Sequence, residues 1–289
     1  MNAAKLPLLL SLAAAAALAG CSDGLHLPGR KAPFDKTLLE SRIDDRFGGR
    51  GTCVVILDAR TGAELYRYNR AAVCMNPLPP CATFQAPETL IGLDDGAVTP
   101  DTVFPWDGKP QRVREWQKPM DLKTAFASSV PWWFGRLAQT IGLDKMQSGL
   151  RALDYGDGVV QGPLGSFWMG PANGGQLGVS TRQQAAFLHR LYAGKLPVKP
   201  EASAFVQQAL VDETRGGSTM SGIAASCPSL SDGSRQVSWW AGRLKGPKTD
   251  YAFAVSMEAD NDHTLPGEEL KTRVKTAFAD AGLWPRATD

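Results

Sequence analysis

Residues 80–93, with the sequence PCATFQAPETLIGL, are the most informative stretch of the chain. A Pro-rich loop, Asn76–Pro80, leads into it, and the pattern predicts a helix from about Thr83 to Asp95 that ends at Gly96. Positions 82 and 85 lie one helical turn apart and are therefore neighbours. Chemistry that depends on that spacing would have to use Ala82 and Gln85.

Strand and helix signals follow one another in blocks on either side of this helix. Thr52–Leu57 and Glu64–Tyr68 predict a β-hairpin, and strands are predicted again at Val237–Leu244 and Tyr251–Glu258. The other predicted helices are Leu122–Val130, Trp132–Ile141, Asp144–Leu153, Ser180–Ala193 with a capping box at Ser180–Gln183, Pro200–Val211 and Glu268–Ala281. Strands from both ends of the chain can complete one antiparallel sheet, so we predict an α+β fold with an inserted helical region.

The composition is that of an ordinary globular protein. Of 289 residues, 43% are hydrophobic and 21% are charged, and the formal net charge is +2. This balance argues against a nucleic-acid-binding protein, which normally carries a clustered basic excess. The three histidines stand far apart, so neither a metal site nor a cofactor is expected.

The first residues predict a lipoprotein signal peptide. Leu8–Leu18 is an apolar run too short to span a bilayer comfortably, and it ends in Leu18-Ala19-Gly20-Cys21, which looks like a bacterial lipobox. We expect removal of residues 1–20, lipid on Cys21 as the membrane contact, a tether at residues 21–35 and a folded domain at residues 36–289. The expected location is the periplasmic side of the cell envelope, at the outer membrane. The alternative is plain secretion after cleavage a few residues away.

Four further cysteines, Cys53, Cys74, Cys81 and Cys227, suit an oxidising compartment. They allow three pairings, and the sequence alone does not choose among them. Cys74 and Cys81 enclose a short Pro-rich loop and are the first candidates for a disulfide.

The stretch that begins at Pro80 resembles the active-site helix of class D β-lactamases and related penicillin-sensor domains. In that family it reads Pro-Ala-Ser-Thr-Phe-Lys-Ile-Pro and is followed by Leu-Ile-Gly-Leu. Further motifs similar to the family's occur in the same order at Phe104–Lys109, Ser128–Pro131, Tyr155–Asp157, Phe167–Trp168 and Val237–Gly242. The resemblance implies the serine β-lactamase fold, with a serine nucleophile and a carboxylated lysine as general base.

The residues that would carry this chemistry are different in this chain. Ala82 stands at the serine position and Gln85 at the lysine position. Acyl transfer needs a nucleophile and a base within hydrogen-bond reach of each other, and these side chains supply neither. The family's Lys-Thr-Gly motif aligns on Gly217-Ser218-Thr219, which lacks the lysine. Glu268 stands where the resemblance implies an arginine for the substrate carboxylate.

Other pocket positions are retained or are interpreted as structural. Ser128 and Val130 match the family's Ser-x-Val motif; without a lysine at position 85, Ser128 is interpreted as structural or as a hydrogen-bonding group for a ligand. Trp168, which in the family packs beside the carboxylated lysine, is interpreted as core. The main-chain N–H groups of Ala82 and Met220 are the candidate oxyanion hole, because main-chain donors do not depend on side chains.

The sequence therefore predicts a catalytically degenerate member of the family, a binding or accessory protein of the cell envelope whose partner is a peptidoglycan fragment or an envelope protein. One alternative is a divergent β-lactamase or penicillin-binding acyl-transfer enzyme that uses another nucleophile. Thr83 is expected to point away from the pocket, and Cys81 lies one position early, so neither replaces the serine well. A second alternative is an interaction protein whose pocket is filled.

Overall fold

A six-stranded antiparallel sheet forms the centre of the protein in this computed structural model, which describes residues 34–48 and 50–286. Its strand order is β2-β1-β8-β7-β6-β5. The first and last strands of the chain meet where β1 pairs with β8, and this confirms the predicted α+β fold. The strands of the sheet are β1 (Gly51–Asp58), β2 (Glu64–Tyr68), β5 (Val211–Arg215), β6 (Ser218–Pro228), β7 (Arg235–Lys245) and β8 (Asp250–Asp260), while β3 (Val103–Phe104) and β4 (Met120–Asp121) pair separately.

The two faces of the sheet are covered by different groups of helices. Successive side chains of a strand point to opposite faces, so Trp239 packs into the helical region while Trp240 packs against α1 and α8. The helical region lies between β2 and β5. The helices are α1 (Lys36–Phe47), α2 (Gln85–Asp95), α3 (Leu122–Ala127), α4 (Pro131–Ile141), α5 (Leu143–Ala152), α6 (Thr181–Tyr192), α7 (Pro200–Ala209) and α8 (Gly267–Asp280).

Several predicted helix ends are confirmed by their capping contacts. A 3-10 helix, Cys81–Phe84, runs directly into α2, and α2 ends at Gly96 in the left-handed conformation. At the start of α6, Ser180 and Gln183 form both hydrogen bonds of the predicted capping box. Position 82 therefore lies in the 3-10 helix and position 85 is the first residue of α2.

The sequence patterns miss α1 and the β5–β6 hairpin. The predicted helix Pro200–Val211 ends at Ala209, because Val211 begins an edge strand. β6 contains several Gly, Ala and Ser residues, which have low strand propensity, and its pairing with β7 determines its conformation.

The disulfides are Cys53–Cys74 and Cys81–Cys227, so the predicted Cys74–Cys81 pair is wrong. Cys53 lies in β1, next to the loop that follows β2. Cys81 lies in the 3-10 helix that packs against β6, and its partner Cys227 is near the end of that strand. Each bridge therefore joins segments that the fold brings together.

No helix of the described residues is long and apolar enough to cross a membrane. The predicted signal peptide, the lipidation site Cys21 and the tether before Phe34 lie outside the described residues. The tether's last residue, Asp35, caps the first turn of α1 by accepting a hydrogen bond from the Leu38 N–H.

Candidate functional site

The predicted nucleophile and base positions lie where the Cys81–Phe84 helix packs against β6. Ala82 is partly exposed, whereas Gln85 is only 3% exposed. The Ser129 hydroxyl donates a hydrogen bond to Gln85 Oε1 over 3.3 Å. An amide oxygen does not accept a proton at neutral pH, so this contact holds the hydroxyl in place without activating it.

The hydroxyl that meets Gln85 belongs to Ser129 and not to Ser128. Ser128 is exposed at the end of α3, and Ser129 follows it in the left-handed conformation with φ +48°. This turn directs the second of the two serines toward α2. Val130 is fully buried at the start of α4. A sequence with two adjacent serines gives no signal of which one faces the pocket.

A small cleft of about 190 Å³ lies next to this contact. Its walls are the Ser129 loop, the middle of β6, the start of β5 and the first turn of α8. Glu268 and Lys271 of α8 line it together with Asp212 of β5. Lys271 Nζ lies 2.8 Å from Asp212 and 3.6 Å from Glu268, so the cation of this cleft is already paired with two carboxylates.

Gly217, Ser218 and Thr219 do not belong to this cleft, and the alignment of the Lys-Thr-Gly motif on them is wrong. Gly217 lies in the turn between β5 and β6 with φ +72°. Ser218 begins β6, whereas Cys227, which is bonded to the neighbour of Ala82, is nine positions further on. At about 3.3 Å per residue these positions are about 30 Å apart along the strand.

The part of β6 that does line the cleft is Gly222–Ala224. Ile223 is 8% exposed and packs into the core of the helical region. The strand therefore presents apolar side chains and backbone where the resemblance implies a lysine and a hydroxyl. Ile223, and not Gly217, is therefore the candidate position on β6 from which a cation could reach the cleft.

Met220 is also unsuited to an oxyanion hole. It pairs with Glu213 of β5 on one side and Leu244 of β7 on the other, and its side chain lies in the core beside α8. β6 pairs with β5 from Ser218 to Ser221, and the Gly222 N–H donates to the Leu210 carbonyl. Among the described strands, none pairs with the later residues of β6 on that side, so a main-chain donor for a ligand is expected there.

Ser226 is the candidate that replaces Met220 as the second main-chain donor. The Gly222 N–H donates to Leu210 on the β5 side, and strand alternation directs the N–H of Ser226 to the same side, where no strand covers it. Ser226 directly precedes Cys227, and Ala82 directly follows Cys81. The Cys81–Cys227 bridge, with a Cα–Cα distance of 5.7 Å, thus brings the two main-chain donors near each other.

The remaining side chains near Ala82 are structural. The Thr83 hydroxyl donates to the Pro80 carbonyl and is buried, so it points away from the cleft. Cys81 is oxidised, fully buried and held at φ +53°. Trp168 stacks on Phe84 with ring centroids 5.0 Å apart, and its carbonyl accepts the Cys81 N–H. None of these groups is placed as a nucleophile.

Glu88, one turn after Gln85 on α2, is an unexpected feature. It is fully buried, and neither carboxyl oxygen has a hydrogen-bond partner within the described part of the chain. Burial raises the pKa of Glu88 well above its usual value, and the backbone of Ala138 on α4 lowers it by a smaller amount. Burial in the helical region therefore favours the neutral form of the Glu88 carboxyl.

Glu88 is expected to make the protein less stable as the pH rises. In the unfolded chain the carboxyl ionises near pH 4.5, while the folded protein keeps its proton to a higher pH. Above pH 4.5 the folded state binds the extra proton, so the free energy of unfolding falls by up to about 1.4 kcal/mol per pH unit. Glu88→Gln should abolish this dependence, and Glu88→Leu should also stabilise by roughly 1–3 kcal/mol at pH 8. Urea unfolding between pH 5 and about pH 9 tests this by measuring the free energy of unfolding at each pH. The same change of that free energy with pH in wild type and Glu88→Gln would contradict the account.

No group of three or more His, Cys, Asp or Glu side chains within residues 34–48 and 50–286 is arranged to hold a metal ion. The polar side chains that line the cleft are Ser129, Asp212, Glu268 and Lys271.

Comparisons with known proteins agree with this geometry. Residues 52–279 match the penicillin binding protein transpeptidase domain family. The chain is 32% identical to β-lactamase OXA-5 of Pseudomonas aeruginosa over 208 residues. The aligned region covers 71% of this chain and 76% of OXA-5. The chain belongs to the class D β-lactamase family. OXA-10 of the same organism is 31% identical over 188 residues, covering 65% of this chain and 69% of OXA-10.

Solved class D β-lactamases have the same fold. The enzyme from Sebaldella termitidis superposes with a TM-score of 0.75 at 23% identity, covering 85% of this chain and 96% of that one. The class D β-lactamase from Bacillus subtilis superposes with a TM-score of 0.73 at 24% identity, and the superposition covers 84% of this chain and 97% of that one. The predicted serine β-lactamase fold is confirmed.

Proposed function

We propose that this protein is a lipid-anchored, non-catalytic member of the class D β-lactamase family that acts as a binding or accessory protein of the cell envelope. The observation that carries the proposal is the contact between Ser129 and Gln85 beside Ala82. A methyl group occupies the nucleophile position, and the nearest hydroxyl donates to an amide that cannot serve as a base. Acylation therefore lacks both of its groups.

The charges of the cleft also oppose a β-lactam substrate. The carboxylate of such a substrate would need an unpaired cation, but Lys271 is paired with Asp212 and Glu268. Glu268 has a 75% exposed side chain and would repel the anion. Ile223 supplies no compensating charge from β6.

Binding without turnover is supported by the main chain. The N–H groups of Ala82 and Ser226 flank the Cys81–Cys227 bridge and can donate to a carbonyl or carboxylate oxygen, as oxyanion-hole donors do. Peptidoglycan fragments offer carbonyl groups of this kind, and we propose them, or an envelope protein, as partners.

Hydrolysis of a chromogenic cephalosporin tests the non-catalytic part of the proposal. We expect the rate with purified protein to equal the rate without protein, because no activated nucleophile is present. Ser129→Ala is the matched control, since it removes the only side-chain hydroxyl in contact with Gln85 among the described residues. Turnover that Ser129→Ala abolishes would instead favour the second candidate, a divergent enzyme that uses Ser129.

The lipid anchor has its own test. With Cys21→Ser, the precursor is expected to escape lipoprotein processing, or the protein is expected to leave the membrane fraction. The amount of protein in membrane and soluble fractions, with mass spectrometry of the processed N-terminus, provides the readout. Unchanged processing and membrane association of Cys21→Ser would show that this part of the proposal is wrong.

A further inference from the structure

One end of the central sheet is formed by three turns that lie side by side. Lys245 pairs with Thr219 of β6 and Asp250 of β8, and Asp58 pairs with Tyr251, so the turns at residues 59–63, 216–217 and 246–249 share this end. The segment that follows α8, residues 281–286, borders Ser218 and Thr249 at the same place. We call the surface made by these turns, residues 281–286 and residues 34–36 the basal end.

The described chain also begins at the basal end. The Asp35 N–H donates to the Ala281 carbonyl over 3.0 Å, directly after the last turn of α8. The residues before Phe34 therefore join the domain at this end. The cleft lies elsewhere, where the middle of β6 meets the first turn of α8.

Five exposed cations lie at or beside the basal end: Lys36, Arg60, Lys245, Lys248 and Arg286. The first four form no salt bridge with an acidic side chain of the described residues. The neighbouring carboxylates only partly offset these cations: Asp35 and Asp58 keep their negative charge, Asp250 is paired with Arg243, and a positive excess remains. Asp35 caps α1, Asp58 accepts the N–H groups of Arg60 and Thr61, and Asp250 forms a double hydrogen bond with Arg243.

We propose that the basal end is a membrane contact surface that binds the anionic headgroups of phospholipids. The proposal rests on the proposed lipid anchor for its orientation. A lipid on Cys21 would be joined to Phe34 by residues 22–33, which extend at most about 40 Å, so the basal end would be the part of the domain held nearest the bilayer. Cations concentrated there, in a chain of net charge +2, complement an anionic surface.

The expected strength follows from the number of cations. Each Lys or Arg near an anionic membrane strengthens binding about fivefold, so four of them together contribute at most several hundredfold. The contribution weakens with salt, because the Debye length falls from about 10 Å at 0.1 M to about 3 Å at 1 M. The two signals, a lipid chain and a basic surface, would together give stable attachment.

The test uses the mature chain with Cys21→Ser, so that no lipid contributes. Co-sedimentation measures its partition onto vesicles of phosphatidylcholine with or without phosphatidylglycerol, at low and high salt. One variant replaces the basal cations, as Lys36→Gln, Arg60→Gln, Lys245→Gln and Lys248→Gln. The matched control removes three lysines and one arginine that are exposed and without salt bridges elsewhere, as Arg112→Gln, Lys118→Gln, Lys123→Gln and Lys195→Gln.

We expect the starting protein to prefer phosphatidylglycerol vesicles at low salt. The basal variant should bind them at least about tenfold more weakly, and the control variant within about twofold of the starting protein. Equal losses in both variants, or no preference for phosphatidylglycerol, would overturn the proposal. Since the protein carries no lipid in this experiment, a failed lipid anchor would appear only in the fractionation of Cys21→Ser from cells, and the two failures stay distinguishable.

Discussion

Removing the Cys81–Cys227 disulfide is expected to lower the free energy of unfolding by about 5 kcal/mol, and removing Cys53–Cys74 by about 3 kcal/mol. The first bridge closes a loop of 146 residues and the second a loop of 21, and the unfolded chain gains more entropy when the longer loop opens. Urea unfolding of Cys81→Ala/Cys227→Ala and Cys53→Ala/Cys74→Ala under non-oxidising handling measures both. A larger loss for the Cys53–Cys74 variant would contradict this account.

Cys81 allows a sharper version of the same measurement. Its φ of +53° lies in the left-handed region, which disfavours a non-glycine residue by roughly 1–2 kcal/mol. Cys81→Gly/Cys227→Ala should therefore be more stable than Cys81→Ala/Cys227→Ala by about that amount, provided that the backbone keeps its conformation without the bridge. Equal stabilities would show that the bridge itself imposes the conformation and that residue 81 relaxes once it is broken.

Restoring the missing groups is expected to return slow acylation by penicillin. Ala82→Ser and Gln85→Lys place a hydroxyl and a candidate base one helical turn apart, next to the stacked rings of Phe84 and Trp168. The double variant would still bind the substrate carboxylate poorly. A charge-assisted contact contributes roughly 1.5–3 kcal/mol, so its absence weakens binding about ten- to a hundredfold.

Adding Ile223→Lys and Glu268→Arg should raise the second-order acylation rate by at least about tenfold over the double variant. The matched control is Ser218→Lys in place of Ile223→Lys, since Ser218 lies at the far end of β6 and should give no gain. Acylation rates are measured against penicillin concentration for each variant. If Ser218→Lys helps as much as Ile223→Lys, the assignment of the cleft to the middle of β6 is wrong.

The sequence predicts the fold and the positions of Ala82 and Gln85 because the signals for both are local. Ala82 and Gln85 lie in consecutive helical turns before a clear stop at Gly96. The β-hairpin, the capping box and the Trp239–Trp240 strand each carry their own pattern. The errors concern contacts between distant segments. β6 is made mostly of small residues without a clear strand pattern, so nothing local showed that Ile223, and not Gly217, lines the cleft.

Other features of the site depend on backbone conformation or burial. The choice between Ser128 and Ser129 is made by a left-handed turn at Ser129, and the second main-chain donor, Ser226, is defined by where β5 stops pairing with β6. Cys81 and Cys227 are 146 residues apart in sequence, and only the packing of the 3-10 helix on β6 pairs them. The sequence gives no sign that Glu88 is unusual, because only the structure shows that its side chain is fully buried.

The most direct test of the central claim is the intact mass of the wild-type protein after incubation with excess penicillin. The Ala82→Ser/Gln85→Lys/Ile223→Lys/Glu268→Arg variant serves as the positive control for acylation in the same fold. We predict that the wild-type mass stays unchanged while the control gains the mass of one penicillin. A stoichiometric adduct on the wild-type protein, located at Ser129 or at any other hydroxyl or thiol, would contradict the conclusion that this class D β-lactamase fold has lost its acylation chemistry.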